Sequence, residues 1–154
     1  MYRSLRIESA EAQKFRAQHL TDRGLIIDEW DRISFHYGVC GDTGLVAVFR
    51  LTAVLEQKLP FTGHVKPEAP LKNNSLEIGR LLIAPAARQS LLGLKVYRTV
   101  QASLASSGCI YAYADSIAKS GLTHLGFRRT TATYFDERYG AQSTVYEAFI
   151  IDLL

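Results

Sequence analysis

Two charged residues stand inside an otherwise apolar run: Glu77 and Arg80, between Ser75 and Ile83. Charges in such surroundings are rarely left without partners, because burying an unpaired ion costs far more than a buried contact returns. Their odd spacing sends the two side chains to opposite faces of a strand unless the strand bulges, and a bulge at Gly79 would turn both toward one cleft. Arg50, on an earlier apolar run, is the natural partner for Glu77. Arg16, Asp28, Asp31, Arg50, Glu77 and Arg80 read either as a reactive cluster or as a structural ion-pair network, and the two readings are compatible.

A second candidate follows directly in the chain. The apolar run ends at Ala84-Pro85, a loop containing Arg88 comes next, and a helix begins near Ser90. A helix N-terminus carries unpaired amides and a partial positive charge that suit a phosphate, and Gly93 lets the backbone approach a bulky anion. The same features also describe an ordinary strand-to-helix junction. His19, His36, His64 and His124 occur singly, with no nucleophile at a recognisable spacing, and read as structural. Trp30, between Asp28 and Asp31, either orders a loop that covers a substrate or anchors that loop.

The elements that must position these residues follow from periodicity. Tyr2–Ile7 reads as a strand, Glu8–Leu20 as a helix, and Phe35–Cys40 with Leu45–Ala53 as a hairpin turning at Gly41-Asp42-Thr43-Gly44. Residues 56–74 hold three of the four prolines and read as a long surface loop. Ser75–Ile83 is the buried strand. Leu92, Val96, Val100 and Leu104 then repeat every four residues along a helix over Ser90–Ser107. Cys109–Ala114 reads as a strand in which Tyr111 and Tyr113 divide between core and surface. A second helix follows from Asp115 or Ser116 to Leu125, closed by Gly126, and strands at Phe127–Phe135 and Val145–Asp152 end the order. The result is a mixed α/β fold, an α+β mixed sheet flanked by helices, with an antiparallel first half, at least one crossover and one domain over residues 1–154.

Composition narrows the classes. The 154 residues are 47% hydrophobic and 21% charged, enough for one core without staples. No apolar run approaches the ~20 residues needed to span a bilayer and no signal-peptide pattern is seen, so a cytoplasmic protein is expected. Cys40 and Cys109 have no partner at zinc spacing and read as buried small hydrophobes, so no metal is expected. The net charge of +3 comes from scattered basic residues without a nucleic-acid motif. It suits a polyanionic donor and equally an ordinary solvated surface.

The order of elements, the Arg88 loop before the central helix and the late Gly126-Phe127 resemble the GNAT acyltransferase superfamily. Its pyrophosphate signature, Gln/Arg-x-x-Gly-x-Gly/Ala, falls on Arg88-Gln89-Ser90-Leu91-Leu92-Gly93, with Leu91 in place of the first glycine. From about Phe15 to Phe127 the chain is most similar to the branch of acyl-homoserine-lactone synthases and N-acyl amino acid synthases. Arg16, the cluster Asp28-Glu29-Trp30-Asp31, Arg50-Leu51 and the Glu-x-x-Arg motif Glu77-Ile78-Gly79-Arg80 carry that likeness. The chain is shorter than is usual there, particularly after the central helix.

The resemblance implies a GNAT-like fold whose fourth strand is bulged, exposing backbone N–H groups that polarise a thioester carbonyl. It implies acyl transfer, with a fatty acyl group expected, from an acyl-coenzyme A or acyl carrier protein thioester to the amine of an amino acid or related small molecule. Glu77 would be the general base and the N–H near Leu82 the oxyanion donor. Ile83 and Arg88 to Gly93 would bind the donor. Arg16, Asp28, Trp30, Asp31, Arg50 and Arg80 would serve the acceptor side. The tyrosine that many GNAT enzymes use to protonate the leaving thiolate is replaced by Leu122. A thiol pKa of about 8.5 lets the thiolate leave without it. An acetyltransferase using acetyl-coenzyme A and a non-catalytic sensor domain of the same fold are the alternatives.

Overall fold

A computed structural model of the chain describes residues 1–20, 27–54, 58–65, 74–117 and 121–154. Its strands are β1 (Arg3–Ile7), β2 (Phe35–Gly41), β3 (Gly44–Ala53), β4 (Ser75–Ile83), β5 (Tyr111–Ser116), β6 (Arg128–Asp136) and β7 (Ala141–Phe149). Two α-helices accompany them, α1 (Ser9–His19) and α2 (Ser90–Ser106), with short 3-10 turns at Glu29–Arg32, Pro85–Ala87 and Ile150–Leu153. All seven strands form one sheet in the order β1-β2-β3-β4-β5-β7-β6. Only β4 and β5 run parallel, and α2 makes the crossover between them.

The sheet is covered on both faces. Val96, Val100 and Leu104 of α2 are fully buried against Phe49, Leu76, Ile78, Ala112 and Ala114. Each such side chain contributes ~1.5–3 kcal/mol relative to exposure. On the other face Ala12 and Phe15 of α1 pack on Val48. Farther along that face a second apolar cluster joins Tyr111 and Tyr113 of β5 to Tyr134, Val145, Leu59 and Phe61.

Several expectations are corrected by this packing. The stretch expected as a surface loop instead sends Leu59 and Phe61 into the core; its residues 56, 57 and 66–73 lie outside the described ones. Tyr111 and Tyr113 are both buried because they share one face of β5, while Ala112 and Ala114 take the other. In place of the expected helix up to Leu125, residues 121–126 form hydrogen-bonded turns, with Leu125 N–H donating to the Gly121 carbonyl and Gly126 at φ +95°. Residues 118–120 of that expected helix lie outside the described ones. The last strand begins earlier than expected, at Ala141, and ends in a 3-10 turn that places Ile150 and Leu153 in the core. Cys40 and Cys109 are only partly buried.

Gly93 has a local reason to be glycine. A β-carbon there would lie 2.9 Å from the Arg88 carbonyl oxygen, so the first turn of α2 closes over its own loop only without a side chain. Gly93→Ala is expected to lower folding stability by ~1–3 kcal/mol, read from urea denaturation; an unchanged midpoint would show that the loop yields freely.

Candidate functional site

The bulge expected at Gly79 lies one residue later. Across β3 and β4, Val48 faces Leu82 and Arg50 faces Gly79, so Arg80 and Leu81 together oppose Phe49. Arg80 adopts φ +57°, a left-handed conformation that costs a non-glycine residue of order 1 kcal/mol and is retained where surrounding contacts fix it. The consequence is the one the spacing required: Glu77 and Arg80 reach the same cluster. Gly79 has a separate task. A β-carbon on it would fall 1.9 Å from Glu77 Oε1 and 3.1 Å from Arg50 Nε, so the missing side chain leaves the space that these two groups occupy.

Arg50 is the hub. Its Nη1 donates to Asp28 Oδ1 at 2.6 Å and to Asp31 Oδ1 at 2.9 Å, and its Nη2 lies 3.6 Å from Glu77 Oε1. Asp28 and Asp31 are held for this by their own capping box: each side chain accepts from the other's backbone N–H across the Glu29–Arg32 turn. Arg80 Nη2 adds a bond to Asp28 Oδ2 at 3.0 Å, and its Nη1 donates to the Tyr139 hydroxyl. Trp30 anchors the turn, its indole N–H donating to the Lys58 carbonyl. His36 is bonded through Nε2 to the Asp31 carbonyl oxygen, and His64 stacks on Tyr134; both contacts are structural.

Sequence reasoning missed Arg138. From the β6–β7 turn it donates to Asp28 Oδ2 at 2.7 Å and to both oxygens of Asp136, lies 3.5 Å from Asp115 Oδ2, and sits 5.3 Å from the centre of the Trp30 ring. It thereby joins β5, β6 and the Trp30 turn. Tyr134 completes this corner through a hydrogen bond to Asp115. The only signal in the sequence was a charged hairpin turn, Asp136-Glu137-Arg138, which is normally a solvated feature.

Arg16 is buried on α1 beside this network, but no carboxylate lies within ion-pair distance among the described residues, and its Nε and Nη2 are unpartnered. Burial therefore lowers its pKa to about 10, opposed by Asp31.

The residues expected on the donor side lie where the sheet opens. β4 pairs with β5 only over Ser75–Glu77, so beyond Glu77 one edge of β4 parts from its neighbour. Ala84 N–H donates to the Val46 carbonyl, and antiparallel alternation then turns the Leu82 N–H toward β3. The outward groups are its neighbours'. Ile83 faces away from β3, as its carbonyl, bonded by Arg88 Nε at 2.7 Å, also shows, and the same alternation turns Leu81 outward. Gln89 is the N-terminal boundary of α2 and makes no side-chain cap, the Ser90 backbone opens the helix, and Leu91 and Leu92 are exposed. Leu122 is buried in the core.

Titration separates the carboxyls. Burial would raise the pKa of Asp28, but Arg50, Arg80 and Arg138 outweigh it and bring the group down to about 2. Burial raises that of Glu77 to about 7, because Arg50 offsets the loss of water only in part and Asp115 adds to the rise. Its Oε2 is buried without a hydrogen-bond partner. No three His, Cys, Asp or Glu side chains among the described residues are placed to hold a metal. No helix there is long and apolar enough to cross a membrane.

Asp28→Asn would leave three guanidiniums short of a counter-charge, and a loss of ~3–5 kcal/mol in urea denaturation is expected. In the wild type, Asp28 contributes stability that is fully present above its unfolded pKa of 3.8 and is lost as pH falls toward about 2. The variant should lose less stability than the wild type over that window; an equal acid slope in both proteins would refute the assignment.

No family model and no curated protein matches the sequence. Solved structures do. FeeM, an N-acyl amino acid synthase from uncultured soil microbes, superposes with a TM-score of 0.72 at 14% identity, over 99% of this chain and 92% of its own. The Arabidopsis thaliana protein NAA60, solved with acetyl-CoA, gives 0.63 at 11% identity over 98% of each chain. The AHL synthase LasI gives 0.62 at 12%, over 97% of this chain and 89% of its own. Over nearly its whole length, the fold of this chain is that of the GNAT acyltransferases.

Proposed function

We propose that the protein is an N-acyltransferase that moves a fatty acyl group from a pantetheine thioester to the amine of an amino acid or related small molecule, with Glu77 as general base. The observation that carries this reading is the placement of Glu77: a buried carboxyl with a pKa near 7 at the point where β4 and β5 part. A base that titrates near the working pH is present as carboxylate and still accepts a proton readily. The outward N–H of Leu81, four residues past Glu77, binds the thioester carbonyl and its oxyanion, and that of Ile83 binds the pantetheine arm. The amine attacks the thioester carbon, Glu77 takes the amine proton, and the carbon–sulfur bond breaks to release the thiolate.

Exposed Leu91, Leu92 and Leu94 at the start of α2 favour an acyl carrier protein as the donor, since an apolar rim suits a protein surface better than a diphosphate. A second reading, acetyl transfer from acetyl-coenzyme A, has its own support. Phe61 and Tyr113 are fully buried on the same face as Glu77 and fill space that a long acyl chain would need.

Incubation with acyl carrier protein and coenzyme A thioesters of graded length, against pooled amino acids, with products weighed by mass spectrometry, distinguishes these. Long-chain amides support the first reading, acetyl amides the second, and donor binding without product a sensor. Glu77→Gln should lower kcat/KM by ~10²–10⁴-fold while the fold is kept. Because the base works ionised, wild-type kcat/KM should fall as pH drops below about 7. An active variant with the same acid limb would remove Glu77 from the role.

A further inference from the structure

Glu77 is linked to the Trp30 turn through two hydroxyls. Thr52 of β3 stands directly opposite Glu77 of β4, and its hydroxyl is the hydrogen-bonding group there that favours the ionised carboxyl. The Thr52 Oγ1 is 2.7 Å from Ser34 Oγ, and Ser34 Oγ is 2.6 Å from the Trp30 carbonyl oxygen. Thr52 is buried to 1% exposure. Three links thus join four groups, and the two hydroxyls bring two protons.

We propose that Ser34 and Thr52 are positioning residues for Glu77, forming a relay whose donor direction reverses when the carboxyl gains or loses its proton. With Glu77 ionised, Thr52 donates to the carboxylate and Ser34 donates to Thr52. The Trp30 carbonyl is still served by the backbone N–H groups of Ile33 and Ser34. With Glu77 protonated, its O–H donates to Thr52, Thr52 donates to Ser34, and Ser34 donates to Trp30. Each hydroxyl keeps its own proton and only rotates. All three links are then filled, whereas a proton on Glu77 Oε2 would find no acceptor. A buried carboxyl is thereby held in one position through both states that a general base must visit.

The charged and titratable groups facing Glu77 belong to every neighbouring element: Arg50 on β3, Tyr113 and Asp115 on β5, Arg138 from the β6–β7 turn, and Asp28 and Asp31 behind Arg50. None of these is altered by changing Ser34 or Thr52. The two changes act in opposite senses. Thr52→Val removes a charge-assisted bond from the carboxylate and a weaker one from the acid, so the Glu77 midpoint rises by about one pH unit. Ser34→Ala leaves the bond to the carboxylate but strands the Thr52 hydroxyl proton when Glu77 is protonated, so the midpoint falls by up to about one unit.

The consequence for catalysis rests on the reading of Glu77 as base, but the relay is testable without it, by a carbon-13 NMR titration of the Glu77 carboxyl in the whole protein. A rise in Thr52→Val, a fall in Ser34→Ala and a wild-type midpoint in Ser34→Thr are expected. Shifts of the same sign, or none in Ser34→Ala, overturn the relay. Ser34 is only partly buried, so that variant decides the matter even if Thr52→Val does not fold. Opposite shifts in a protein that forms no amide would keep the relay and sink the acyltransferase reading.

Discussion

The site depends on one buried guanidinium. Arg50 is 2% exposed, and taking such an ion out of water costs several kcal/mol unless its neighbours return it. Asp28, Asp31 and Glu77 return it, and each has needed its own backbone device to arrive. The capping box sets the two aspartates, cross-strand register sets Glu77, and Gly79 leaves the space beside them. The bulge at Arg80 then brings a second guanidinium to Asp28, and Arg138 brings a third from the far end of the sheet. In this way Arg50 and its partner Asp28 tie the β3–β4 register, the Trp30 turn and the β6–β7 turn to one another.

The balance of charge explains why Glu77 differs from its neighbours. Arg16, Arg50, Arg80 and Arg138 face five carboxyls, those of Asp28, Asp31, Glu77, Asp115 and Asp136. The guanidiniums are not shared evenly among them. Asp28 has contacts of 2.6, 2.7 and 3.0 Å to three arginines, while Glu77 has one at 3.6 Å and is enclosed. The pKa values near 2 and near 7 are two outcomes of one network. A structural ion-pair network and a raised carboxyl pKa are therefore not competing descriptions of these residues: the network holds Asp28 with three guanidiniums and leaves Glu77 with one distant one.

Much of this was legible in the sequence. Charges inside an apolar strand announced Glu77 and Arg80, and their odd spacing required a bulge, which the structure places one residue beyond Gly79. Helix α2 followed from the four-residue repeat of its buried positions, and β3 and β4 from continuous apolar runs. What was not legible depends on contacts between distant segments. Phe61 sits among prolines and polar residues, and only its packing on the Tyr111–Tyr113 face of β5 tells why it is buried. Arg138 looks like any turn arginine until the β6–β7 hairpin meets the Trp30 turn. The direction of the Leu82 N–H follows from pairing parity, which is fixed by Ala84 bonding to Val46 and by nothing local to Leu82.

The same physics sets the buried cluster apart from the start of α2. In the cluster, replacing one member strands a buried partner at a cost of several kcal/mol, so the residues are constrained as a set. At the start of α2 the constraint is local. Gly93 is held by the Arg88 carbonyl and Arg88 by the Ile83 carbonyl, but the Gln89 side chain makes no cap, and Leu91, 70% exposed, has water on most sides. A change at Leu91 therefore costs the fold little. The two regions share β4 but not their partners, so a change at the start of α2 leaves the charges around Glu77 undisturbed.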